Sequence, residues 1–122
     1  MPHARRLLGD QGEQLAKQFL LDRGYAIVQQ NYRCPEGEID LVCRDGDSLA
    51  FVEVKTRRGS AFGNPEEAVT AAKLRHIAAA AARYLSEQPL GDVPWRIDVV
   101  AVALDATGRM EEIRLLRNAG LW

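Results

Sequence analysis

The sequence predicts an α/β fold with an α-β-β-β-α-β core, its mixed central sheet flanked by helices. Three observations carry this expectation. Two stretches, Gly9 to Arg23 and Asn64 to about Glu87, space their apolar residues at helical intervals. Three alternating stretches lie between them, around Tyr25 to Arg33, Glu38 to Arg44 and Leu49 to Thr56. Two more strand-like runs follow, Trp95 to Leu104 and Glu112 to Leu116. With 122 residues and no interdomain linker, residues 1–122 are expected to form one domain with its own core.

Each element has local reasons. In the first helix Leu8, Gly12, Leu15, Ala16, Phe19, Leu20 and Arg23 fall near one face. Asp10 suits an N-cap, and Gly24 suits the left-handed residue that ends a helix. Pro35-Glu36-Gly37 reads as a turn or bulge and Asp45-Gly46-Asp47-Ser48 as a hairpin turn. Asn64-Pro65-Glu66-Glu67 combines a cap, a proline at the first helical position and two acids in the first turn. Pro89 stops that helix, and Ala106-Thr107-Gly108 turns the chain into its last strand.

Composition excludes several classes. The N-terminus has basic residues with no apolar run behind them, so no signal peptide is expected, and no segment is apolar enough to span a bilayer. Cys34 and Cys43 fit neither a disulfide framework nor a zinc site, which points to a reduced, cytoplasmic setting. A formal charge of −1 and a pI near 6.1 mean that any polyanion binding rests on local clustering of cations.

The chemically informative residues lie in Gly37-Glu38-Ile39-Asp40-Leu41-Val42 and Phe51-Val52-Glu53-Val54-Lys55. Alternation puts Ile39, Leu41 and Cys43 on one face and Glu38, Asp40 and Val42 on the other. Glu53 and Lys55 share a face. A four-residue loop at Asp45 to Ser48 pairs Arg44 with Leu49 and sets Asp40 opposite Glu53. A two-residue loop at Asp45-Gly46 sets Asp40 opposite Phe51, diagonal to Glu53. Residues directly opposed have Cβ atoms about 4.5–5.5 Å apart, so either register brings the two carboxylates together. A charged outer face of a sheet would also account for Glu-x-Lys. Here, though, the strand is otherwise apolar, and the neighbouring acid aligns with Glu53 rather than with Lys55. Facing carboxylates repel, and a hard divalent cation, Mg2+ or Mn2+, resolves the conflict. Such an ion beside Lys55 suggests hydrolysis of a phosphodiester.

Gly-Glu-Ile-Asp-Leu-Val followed by Phe-Val-Glu-Val-Lys-Thr-Arg resembles the YraN family, a widespread bacterial group. That family in turn looks like the PD-(D/E)xK nucleases, which include restriction endonucleases and Holliday-junction resolvases. The resemblance extends over Gly12-Glu13 with Ala16, Asn31-Tyr32-Arg33, the hairpin, the helix bearing Lys73, and Arg96-Ile97-Asp98-Val99-Val100. It implies a restriction-endonuclease-like fold in which Asp40, Glu53 and Lys55 are the site residues. It also implies that Glu13, at the margin of the first helix's apolar stripe, adds a further carboxylate to the catalytic and metal-binding set. The ordinary alternative for Glu13 is an i+4 pair with Lys17.

For a nucleic-acid backbone, Arg57, Arg58 and Lys73 are the expected contacts. Lys73, His76 and Arg83 fall within about 80° of one another around the second helix. Arg83 is read as solvated, His76 lacks a partner at metal spacing, and Asp98 is read as structural, paired with Arg96 or another arginine. Trp95 and Trp122 are expected to pack. The function expected is a Mg2+- or Mn2+-dependent nuclease acting on DNA, of branched or damaged form. The alternatives are an inactive nucleic-acid-binding module, or a non-enzymatic homodimer joined through the last strand or the Leu115-Leu116 to Leu121-Trp122 tail.

Overall fold

A computed structural model describes residues 2–59 and 69–119. Helix α1 spans Pro2–Asp22 and is followed by strands β1 (Ala26–Cys34), β2 (Gly37–Asp45) and β3 (Ser48–Arg58). Helix α2 (Ala71–Glu87), β4 (Trp95–Leu104) and β5 (Met110–Leu116) complete the described elements. The sheet is ordered β1-β2-β3-β4-β5; β3 and β4 are parallel and every other neighbouring pair is antiparallel. Parallel neighbours need a crossover, and α2 lies on the connection between β3 and β4. The expected α/β fold with a mixed sheet is therefore the observed one.

The sheet has a core on each face. Ala16 and Leu20 of α1 pack with Leu41, Cys43, Ala50, Val52, Val100 and Val102. Ile77, Ala80, Ala81 and Tyr84 of α2 pack with Val42, Leu49, Phe51 and Ile97 on the other face. Alternation along β3 distributes its side chains between the two: Leu49 and Phe51 go to α2, Ala50 and Val52 to α1. Trp95, expected to pack, is 37% exposed and meets the core at one edge, its ring edge-on to Phe51 at 5.7 Å between centroids. Leu115 of β5 packs against the α1-side core. Trp122 and the end of the tail lie outside the described residues. Both thiols are free.

Two helix starts differ from expectation. Asp10 is not an N-cap: α1 begins at Pro2. Proline is well placed in a first turn, and Ala4 to Leu8 are good helix formers that carry the helix through Gly9. Its C-terminus behaves as read. Gly24 has φ +89°, the Tyr25 N–H donates to the Leu20 carbonyl, and the Gly24 N–H donates to the Leu21 carbonyl, which together close a Schellman motif. At α2 the signal of Asn64 to Glu67 lies outside the described residues. A continuous helix from there to Glu87 is nonetheless broken at Val69 and Thr70, because Thr70 is extended and its hydroxyl accepts from the Lys73 N–H.

Gly12 sets how closely α1 approaches the sheet. A Cβ at that position would stand 2.8 Å from Cβ of Thr56 and closer still to its hydroxyl. Neither group is at the end of a flexible chain, so any side chain here pushes α1 off β3. Gly12→Ala should lower stability by about 1–3 kcal/mol in urea unfolding, the cost of overpacking. An unchanged midpoint would show that α1 can shift without penalty.

Candidate active site

The hairpin between β2 and β3 pairs Asp45 with Ser48, Arg44 with Leu49, and so on to Leu41 with Val52. This is the register with Arg44 opposite Leu49, closed by a turn of two residues, Gly46-Asp47, rather than four. The same count would place Asp40 opposite Glu53, but the paired residues stop at Leu41 and Val52. Beyond them, Oδ2 of Asp40 accepts a hydrogen bond from the Val54 N–H at 2.8 Å. A side chain has taken the place of a backbone acceptor, and the regular ladder ends there.

Strict alternation of β2 also fails at this point. Leu41 and Cys43 belong to the α1-side core as read, whereas Ile39 joins Val42 in the core beneath α2. The phase changes across Asp40. On the other flank, β1 pairs Gln30 with Leu41 and Tyr32 with Ile39, which leaves Asn31 at the level of Asp40. Asn31 has φ +54°, a left-handed backbone that asparagine tolerates better than most residues.

Around this break lies an open cavity of about 240 Å³ bordered by Glu13, Asp40, Glu53, Lys55 and Arg57, with Gly9 and Thr56. The expected core residues Asp40, Glu53 and Lys55 are thus brought together, and Glu13 reaches them from α1. Arg57, two residues past Lys55 on β3, borders the same cavity. Arg58 points elsewhere: its Nη2 lies 3.5 Å from where a Cβ on Gly108 would stand, at the turn between β4 and β5. Lys73 arrives from α2, with Nζ 3.5 Å from Oε2 of Glu53. It is a counter-ion of the buried acid as well as a half-exposed cation. Glu38 sits at the rim and pairs with Arg33 at 3.6 Å. Arg83 is held by Glu36 through two hydrogen bonds of 2.9 Å, and His76 is exposed.

The electrostatics of this group are unbalanced. Glu53 is 7% exposed. Burial, a hydrogen bond shared with the Asp40 carboxyl and repulsion from Asp40 push its pKa up to about 8, and Lys73 offsets only part of this. Glu13 is also raised, first by burial and then by Asp40, Asp10 and Glu38, with Lys17 opposing. Among the described residues no three His, Cys, Asp or Glu side chains already stand as a metal cage. The donor set still fits a hard cation, because Asp40, Glu53 and Glu13 bring carboxyl oxygens to one open cavity.

Asp98 shows how a buried acid is treated when its role is architectural. It accepts from the Tyr25 hydroxyl at 2.9 Å, from Nε of Arg96 at 3.0 Å and from the Asn118 N–H at 2.8 Å. Arg96 also pairs with Asp45 at 2.7 Å. The structural reading of Asp98 stands. Its part in anchoring Asn118 and, through Asp45 and Arg117, the residues after β5 was not legible locally, since those partners are remote in sequence.

With this geometry the chain can be set beside known proteins. Residues 12–102 match the sequence model described as "Uncharacterised protein family UPF0102". The chain belongs to the UPF0102 family. It is similar to the UPF0102 protein of Symbiobacterium thermophilum, 49% identical over 93% of this chain and 96% of that one. It is likewise similar to that of Caldicellulosiruptor saccharolyticus, 40% identical over 94% and 98%. The UPF0102 protein of Nocardia farcinica is 50% identical over 82% of this chain and 79% of its own length. The matched region of the UPF0102 family contains Glu13, Asp40, Glu53, Lys55, Arg57 and Lys73.

Glu53 and Asp98 should therefore respond oppositely to neutralisation. With its pKa raised above the ordinary 4.5, folded Glu53 holds its proton where the unfolded chain has lost it. Stability should fall as pH rises from about 4.5 to about 8, and Glu53→Gln should flatten this slope. In metal-free protein at pH 8, Glu53→Gln and Asp40→Asn should leave the unfolding midpoint unchanged or raise it. Asp98→Ala should cost about 3–5 kcal/mol, because it removes the acceptor of the Arg96 Nε–H, the Tyr25 hydroxyl and the Asn118 N–H in a buried place. Similar losses at all three positions would mark Asp40 and Glu53 as a structural network too.

Proposed function

We propose that this UPF0102 protein is a divalent-metal-dependent nuclease that hydrolyses phosphodiester bonds of DNA. The observation that carries the reading is the convergence of Asp40, Glu53 and Lys55 on one cavity, at the place where the ladder between β2 and β3 ends. The likeness of these residues to the PD-(D/E)xK nuclease pattern supports it, as does the α-β-β-β-α-β order.

In this reading Asp40 and Glu53 hold Mg2+ or Mn2+, with Glu13 as a further oxygen donor from α1. When bound, the ion supplies positive charge to a phosphate oxygen and acidifies water. Glu53 would serve as a ligand in its ionised form, and its burial holds the carboxyl group in place. Lys55 places the attacking water, and its position two residues from Glu53 on one strand fixes its distance from the carboxylates. Arg57 binds phosphate at the cavity's edge. Lys73, half-exposed beside Glu53, would serve as a second phosphate contact. Arg58, turned toward Gly108, contributes little.

Purified protein offered single-stranded, double-stranded and branched DNA and RNA should cleave in Mg2+ or Mn2+, and chelation should abolish cleavage. Lys55→Ala should lower the rate by about 10²–10⁴-fold, the usual range for a group that handles a proton, with DNA affinity largely kept. Arg57→Ala should weaken binding and flatten its salt dependence by about one unit, whereas Arg58→Ala should do neither. If Lys55→Ala cleaves like the parent protein, the assignment of this site fails. Binding without cleavage under any metal would identify a silent nucleic-acid-binding module instead.

A further inference from the structure

Beside the catalytic cavity lies a second, larger cleft of about 570 Å³ between α1 and the β1–β2 hairpin. Its volume is that of a small-ligand site, which commonly spans about 300–1,000 Å³. The two spaces share Gly9 and Glu13, so the cleft opens directly from the site. Its lining differs sharply in chemistry. Gln14 projects from α1, and Gln30 and Asn31 project from β1. These three amides are exposed, and among the described residues no side-chain hydrogen bond engages them. Among the described residues of the lining the cation is Arg33, which is paired with Glu38, and Asp10 and Glu13 add further negative charge.

Such a wall repels phosphate and suits a neutral, planar group rich in hydrogen-bond donors and acceptors. Each amide offers both a donor and an acceptor, and the carboxylates accept from amino groups. We propose that this cleft receives the unpaired base of the nucleotide next to the scissile phosphate. It favours bases that carry an exocyclic amine, as cytosine does and thymine does not. The inference rests on the nuclease reading and narrows it: the substrate is DNA with an unpaired nucleotide at the cleavage point. A fully stacked and paired base cannot enter a cleft bounded by a helix on one side and a hairpin on the other, so entry requires that the base leave the helix.

The test measures fluorescence anisotropy of full-length protein, with Ca2+ as the divalent ion, on three labelled duplexes. One is fully paired, one carries a single unpaired cytosine and one a single unpaired thymine. Cleavage of the same three in Mg2+ or Mn2+ is followed in parallel. The unpaired cytosine should bind several-fold more tightly than either of the others and be cut beside the unpaired position. Gln14→Ala and Gln30→Ala should each reduce that preference by about two- to tenfold, the weight of one hydrogen bond, and leave affinity for the paired duplex unchanged. Both residues are exposed, and thermal unfolding of each variant should match the parent. Equal binding of the three duplexes, or a preference untouched by both amide variants, would overturn the cleft as a base site while leaving cleavage intact. Absence of both binding and cleavage on all three, with single-stranded and branched DNA also left uncut, would overturn the nuclease reading together with it.

Discussion

The hydrogen bond from the Val54 N–H to the Asp40 carboxylate is the constraint on which the arrangement of the site depends. In an uninterrupted antiparallel ladder that amide would find a carbonyl on β2. Here it finds a side chain instead, which keeps the donor satisfied where the ladder ends. The cost of ending a ladder is an unpaired backbone group in a half-buried place, and Asp40 removes that cost while remaining beside Glu53. The same residue thus stands where the pairing ends and borders the cavity found there.

Other features of the fold converge on this opening. Asn31, at the level of Asp40 on β1, takes a left-handed backbone, and the side-chain phase of β2 changes between Leu41 and Ile39. Without that change Ile39 would face α1 and leave the α2-side core short of an apolar residue. Gly12 lets α1 lie close against Thr56, and the next residue, Glu13, borders the cavity. Gly37 does the same for α2, since a Cβ there would stand 3.2 Å from the His76 carbonyl. Two close approaches made possible by glycine thus bring both helices up to the sheet near the place where its pairing ends.

Two buried acids on neighbouring strands show how differently one sheet can treat the same kind of group. Asp98 is fully buried and surrounded by donors: a phenol, a guanidinium and a backbone amide. Charge and hydrogen bonds there are matched, as stable burial requires. Glu53 is instead pushed toward its neutral form by burial and by the neighbouring Asp40, and Lys73 at 3.5 Å offsets only part of this. The mismatch concentrates unfavourable electrostatics at one end of the hairpin. Acidity then continues from the cavity into the neighbouring cleft, while Arg57 and Lys73 mark its basic side. A chain of net charge −1 can in this way offer local surfaces of both signs.

By itself the sequence determined the order of elements, the apolar faces except at Ile39, and the meeting of Asp40 with Glu53 at one cavity. These follow from periodicities of two and 3.6 residues and from hairpin register, all of which are local properties of a chain. The Schellman end at Gly24 and the span of β4 were legible for the same reason. Tertiary structure alone decided where the regularity stops. The start of α1 at Pro2 rather than Asp10, and the cap of α2 at Thr70, were choices among several local signals of similar strength. The ladder's end at Asp40 needs the Val54 amide of another strand, and the change of phase at Ile39 needs the core under α2. Lys73 and Arg58 were read alike as phosphate contacts. Packing sent one to Glu53 and the other to the turn at Gly108, because a side chain's partner depends on which elements meet, and that is fixed only once the sheet and helices have assembled.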